Sequence, residues 1–198
     1  MHQLVLASES PRRKQLLKDA GFQFETLSMK VSEIPGKNLT VDAKILANAK
    51  EKSESAWTRL KSTKNSPFVL LTADTEVVLN DELLGKPADI KAAIQMISQL
   101  SGNIHQVKTG LWLRESPSGK EVSHIETTII HFKKLDSKTI EDYASSREGL
   151  DKAGAYAIQG QASQFVEKIV GNYDNVVGLP VQALKKILND QGWIIEKA

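Results

Sequence analysis

The stretch IHQVKTGLWLRESPSGKEVSHIETTIIHF, residues 104–132, decides the fold. Two long extended runs, Ile104 to Arg114 and Val122 to Phe132, flank a Pro117-Ser118-Gly119 turn, the pattern of a β-hairpin. Strand and helix patterns alternate on both sides of it, which alone would suggest parallel crossover units. A central hairpin requires neighbouring strands to run in opposite directions, so the reading is a mixed, twisted sheet flanked by helices.

On the N-terminal side, Gln3 to Ala7 reads as a short strand. Ser10 then suits an N-cap and Pro11 the first helical position. Leu16, Leu17 and Ala20 supply the buried stripe of this helix, Gly21 stops it, and Phe22 to Leu27 reads as a second strand. A helix from about Thr40 to Leu60 carries Val41, Ile45, Ala49, Lys52 and Ala56 near one face. Phe68 to Thr72 reads as a buried strand, and Glu76 to Leu79 continues it toward an Asn80-Asp81 turn. Asp89 to Leu100 forms the next helix and ends at Ser101-Gly102. On the C-terminal side, Asp136 or Ser137 caps a helix reaching about Arg147. A glycine-rich loop, a strand over Phe165 to Val170 and a last helix starting near Pro180 follow. With no repeat, low-complexity tract or clean linker, residues 1–198 read as a single α/β domain.

The 40% hydrophobic and 25% charged composition is that of a chain with a real core. With 26 basic and 24 acidic residues the net charge is only +2, which argues against a broad nucleic-acid surface or a polybasic membrane patch. A small polyanion gripped by a few local Lys and Arg side chains fits it. The absence of cysteine excludes disulfides, a thiolate nucleophile and Cys-ligated zinc, and His2, His105, His124 and His131 lack metal-ligand spacing. A hard ion such as Mg²⁺ or Mn²⁺ is the metal these residues could support. No signal peptide is visible, and no apolar run approaches the roughly 20 residues of a membrane span. The expected location is the cytoplasm.

Several short constellations carry candidate chemistry. Ser8 to Arg13 is a strand–turn–helix corner, where helix N-terminal amides attract anions. Arg12 and Arg13 project about 100° apart on a helix, so one suits phosphate and the other the base or sugar. Taken alone, the segment reads as readily as a capped surface helix. Asp74, in Ala73-Asp74-Thr75-Glu76, ends a core strand, where a carboxylate is costly unless it binds a metal, activates water or caps a turn. Lys86, between Gly85 and Pro87, presents a point charge on a stiff loop, outside any P-loop pattern. Residues 150–160, LDKAGAYAIQG, combine small residues for close backbone approach with Lys152 and the amide of Gln159. Such an amide suits the edge of a pyrimidine, although a tight loop needs no ligand. The run from Gly171 to Pro180 is a further turn leading into a helix.

In order and spacing, LASESPRRKQLL, Glu33, Lys52, ADTEVV, LGKP, LSGNIHQVKTG, LDKAGAYAIQG and NVVGLP resemble the Maf family of nucleotide pyrophosphatases. The resemblance runs from about residue 4 to 185 and is specific as an ordered set. It implies an elongated α/β fold similar to inosine triphosphate pyrophosphatases, two-lobed with a central cleft. It also implies cleavage of a nucleoside triphosphate between its α- and β-phosphates. Carried onto this chain, Asp74 is the general base, and Glu33 and Asp74 hold the divalent metal. Arg13, Lys52 and Lys86 bind the triphosphate, with Ser8 and Lys152 in the same substrate-binding set.

Arg12, Thr75 and Gln159 resemble the branch acting on dTTP and UTP. The branch favouring 7-methyl-GTP tends to carry a tryptophan in the Ser-Pro-Arg-Arg turn and an acid near Gln159. A purine-directed pyrophosphatase, or a triphosphate-sensing regulator of cell division without essential turnover, are the competing readings. A homodimer is compatible with this fold. Two residues depart from the family pattern. Glu76 places a second carboxylate on the strand face of Asp74, implying like-charge repulsion or a share in metal binding. Gly149 replaces a frequent proline and implies a looser loop.

Overall fold

A computed structural model describes residues 1–29 and 39–196. Its strands are β1 (Gln3–Ala7), β2 (Phe24–Leu27), β3 (Phe68–Leu79), β4 (Glu82–Leu84), β5 (Ile104–Ser116), β6 (Glu121–Phe132) and β7 (Val166–Val170). Its helices are α1 (Pro11–Asp19), α2 (Val41–Lys61), α3 (Ile90–Leu100), α4 (Ser137–Ser145), α5 (Tyr173–Val177) and α6 (Val181–Asp190). Short 3₁₀ turns cover Ala153–Ala155 and Gln161–Phe165.

Among the described residues the strands form one mixed sheet in the order β2-β1-β3-β5-β6-β7, with β4 paired to β3. β1 is parallel to both β2 and β3, whereas β4 runs antiparallel to β3 and β7 antiparallel to β6. The central hairpin is present. Glu115 N–H donates to the Lys120 carbonyl at its turn and Phe132 N–H to the Asn103 carbonyl at its open end, so β5 and β6 run in opposite directions. The two strand readings at 68–72 and 76–79 are one continuous strand. Asn80 and Asp81 both adopt positive φ (51° and 63°), the two-residue turn that matches strand twist, and they return the chain into β4. β4, α5 and the two 3₁₀ turns were not expected, because each is too short to show a period.

The chain divides into two compact units, 1–74 with 109–126 and 178–198, and 75–108 with 127–177. In the first, period-two alternation explains the apolar strands. Leu4 and Leu6 of β1, Val69, Leu71 and Ala73 of β3, and Leu111 and Leu113 of β5 pack with Leu17 of α1 and Leu184 and Leu188 of α6. Val5, Ala7, Phe68 and Leu70 face the other way, against Ala56, Trp57 and Leu60 of α2. Strands covered on both faces read as continuous hydrophobic runs. Asp74 shares the parity of Phe68 and Leu70, and therefore lies on the α2 face.

In the second unit α3 packs on α4, and rings from His105, Phe132, Tyr143, Tyr156 and Phe165 stack edge-to-face beside them. Among the described residues no helix is long and apolar enough to cross a membrane.

Candidate active site

The first unit brings four of the expected residues together. Ser10 caps α1 by accepting from Arg13 N–H at 3.4 Å, and Pro11 opens the helix. This turns Arg13 inward. Its Nε donates to the Gly178 carbonyl at 2.8 Å and its Nη1 to the buried Ser8 hydroxyl at 3.3 Å. Burial pulls the Arg13 pKa down to about 10; Asp74 opposes that shift and Arg12 adds to it. Arg13 thus stays protonated at neutral pH. Arg12 is half-buried and makes no hydrogen bond or ion pair among the described residues.

Asp74 is only 6% exposed, which makes its partners decisive. Lys52 Nζ lies 2.5 Å from its Oδ1 and also reaches the Ala73 carbonyl at 3.4 Å. Asn48 Nδ2 donates to the other oxygen at 3.0 Å. Asn48 and Lys52 stand four residues apart on α2 and so share one helix face. Both carboxylate oxygens are held, giving an acceptor fixed in position and backed by a cation.

Among the described residues no group of three His, Asp or Glu side chains converges, and Glu33 lies outside the described residues. Asp74 offers one carboxylate. A Mg²⁺-type ion is commonly held by one or two carboxylates and completes its shell with substrate phosphates and water, so the donors fit an ion that arrives with a triphosphate.

The second unit carries Thr75, Lys86, Lys152 and Gln159 of the expected set. Thr75 is half-buried on β3, and Glu76 is buried, 6% exposed. Lys86 is exposed between buried Pro87 and Gly85, whose carbonyl accepts Gly154 N–H at 3.1 Å. Gly154 has φ +68°, and a Cβ there would meet Val77 at 2.9 Å. Lys152 pairs with its neighbour Asp151. Gln159 is exposed, and neither it nor Lys86 has an intramolecular partner among the described residues.

Gly149 corrects the expectation of a loose loop. A Cβ at that position would sit 1.9 Å from the Ala155 carbonyl oxygen, so glycine permits a close backbone approach and proline could not occupy this geometry.

Two polar groups that hold the candidate site residues escaped the sequence reading. Asn48 is a polar residue among buried Ile45, Ala49 and Ala56, and that break in an apolar stripe, one turn from Lys52, was its available signal. The Gly178 carbonyl had none beyond the turn that contains it.

A family model described as Maf-like protein matches residues 3–191. The chain belongs to the Maf-like family. This Maf-like chain is 50% identical over 186 residues to a dTTP/UTP pyrophosphatase of Bdellovibrio bacteriovorus, covering 94% of this chain and 97% of that one. It is 36% identical over 197 residues to a dTTP/UTP pyrophosphatase of Caldicellulosiruptor bescii, covering 100% and 98%. A Methanosarcina barkeri protein of the same name is 40% identical over 193 residues, covering 97% and 95%.

Proposed function

We propose that this chain hydrolyses dTTP and UTP to the monophosphate and pyrophosphate, with Asp74 as general base. The observation that carries the reading is the buried Asp74 carboxylate, gripped on one oxygen by Lys52 and on the other by Asn48. The names of relatives matching nearly the full chain support the substrate class.

A triphosphate repels nucleophiles until its charge is offset. Arg13 and Lys52 supply fixed positive charge beside Asp74, and the family resemblance assigns Lys86 and Lys152 to the same triphosphate. Asp74 orients a water molecule and takes its proton as the water oxygen bonds to the α-phosphorus. The bond from that phosphorus to the oxygen bridging it to the β-phosphorus breaks, and pyrophosphate departs. Asp74, with Glu33, would hold a Mg²⁺ or Mn²⁺ ion, which would neutralise phosphate charge and stabilise the leaving group. The resemblance to the dTTP/UTP branch assigns Arg12, Thr75 and Gln159 to the nucleoside, where the Gln159 amide suits the carbonyl and N–H edge of a pyrimidine.

The test is pyrophosphate release from dTTP, UTP, GTP and 7-methyl-GTP by wild type and Asp74→Asn. Loss of a general base is expected to cost about 10²–10⁴-fold in kcat with thermal unfolding little changed. A near-normal rate in the Asn variant sinks the base assignment. Release from purine substrates alone overturns the pyrimidine assignment.

A further inference from the structure

Gln159 stands on a tight turn whose flanks are held by side chains from outside it. Gly160 N–H donates to the Ala157 carbonyl at 3.1 Å, closing a turn with Ile158 and Gln159 at its corners. Ile158 is buried at 7% exposure, while Gln159 is exposed. Both flanks are pinned from α4 and the segment after it. Tyr143 Oη accepts Ala157 N–H at 3.1 Å, and Glu148 accepts Gln161 N–H through Oε1 at 3.0 Å and Oε2 at 3.2 Å. Tyr143 Oη in turn lies 3.4 Å from Glu148 Oε1. Burial pushes the Tyr143 phenol up to about 12, so it keeps the proton it donates. The ring itself is held edge-on to Phe165 at 5.0 Å. Gly160 lies so close to Glu148 that a Cβ would fall 2.1 Å from Oε1.

We infer that Tyr143 and Glu148 are positioning residues that set base specificity, by clamping the turn that presents Gln159 to the pyrimidine ring of the nucleoside triphosphate; this rests on the function proposed above. A primary amide can rotate to suit many hydrogen-bonding edges. It discriminates only when its backbone is fixed. Gln159 has no side-chain partner among the described residues, so the turn beneath it supplies that order. The clamp joins the two backbone amides that bracket the corner, leaving the corner residue to read the ligand. Neither clamp residue touches the substrate in this scheme. Their effect is confined to recognition of the base, leaving phosphate chemistry unchanged.

The test is steady-state pyrophosphate release from dTTP, UTP and GTP, with inorganic tripolyphosphate as a competing ligand that lacks a base. Tyr143→Phe keeps the packed ring and removes the hydroxyl, Glu148→Ala removes the acceptor, and Gly160→Ala displaces the carboxylate without altering it. Each is expected to raise KM for dTTP and UTP about tenfold and to cut the preference over GTP by a similar factor. In all three, kcat stays within about twofold and tripolyphosphate inhibition is unchanged. Glu148→Gln keeps one acceptor oxygen and is expected to restore most of the preference. Unchanged KM and preference in all three variants, against a wild type that favours dTTP and UTP, overturns the inference alone. A parallel loss of kcat and of tripolyphosphate binding also overturns it, by showing a general structural role. A wild type without pyrimidine preference overturns the proposed specificity and the inference with it.

Discussion

Acidification is expected to destabilise this protein through one buried imidazole. His105 is 1% exposed, contacts the Tyr156 hydroxyl through Nε2 at 2.9 Å, and leaves Nδ1 without a partner among the described residues. The rings of Phe132 and Tyr156 lie against it at 4.9 and 5.5 Å. Burial lowers its pKa from 6.5 to about 4, and charge on His131 pushes the same way. The folded form therefore takes up its proton later than the unfolded chain, so between pH 6.5 and 4 the unfolded chain holds more protons. The associated stability is complete above pH 6.5 and is lost as the pH falls through 4. A shift of 2.5 units corresponds to about 2 kcal/mol lost by pH 5 and about 3 kcal/mol by pH 4. For a chain of this size each kcal/mol moves Tm by about 2–4 °C. The assay is urea unfolding of wild type and His105→Gln at pH 7, 6 and 5. The variant loses the titrating group and keeps a polar partner for Tyr156, so the gap between the two stabilities is expected to close by about 2 kcal/mol from pH 7 to 5. Parallel pH profiles in the two proteins would refute the reasoning.

Asn48→Ala removes the hydrogen bond to one Asp74 oxygen, and is expected to cost about 1–3 kcal/mol in urea unfolding and to lower kcat. Full stability and full activity together would show that Lys52 alone holds the base. Gly149→Ala drives a Cβ against the Ala155 carbonyl and is expected to destabilise by about 3 kcal/mol, whereas Gly85→Ala, with open space around it, stays within about 0.5 kcal/mol. Equal unfolding midpoints for those two variants would remove the case for close approach at Gly149.

The sheet was legible in the hairpin at 104–132, and both faces of β1 and β3 in their unbroken apolar runs, because burial on two sides leaves no polar alternation to find. The N-terminus of α1 followed from Ser10 and Pro11, since capping is a contact between residues three apart. The ordered motifs likewise carried the family, and Ser8, Arg13, Lys52 and Asp74 were nominated from them and meet in one unit. β4 and α5, of three and five residues, were not legible, since each spans less than two periods of its own element.

Chain-local physics was enough wherever cause and effect lie within one turn or one strand: caps, turns, periodicity and the spacing of charged residues. The grip of Asn48 on Asp74, the seat of Arg13 on the Gly178 carbonyl and the closeness of Gly149 to Ala155 are different in kind. Hydrogen-bond partners and excluded volume depend on which distant or looped-back segments packing presses together. Residues 13 and 178 become neighbours only once α1 and the turn before α6 share a core, which settles what each polar atom meets.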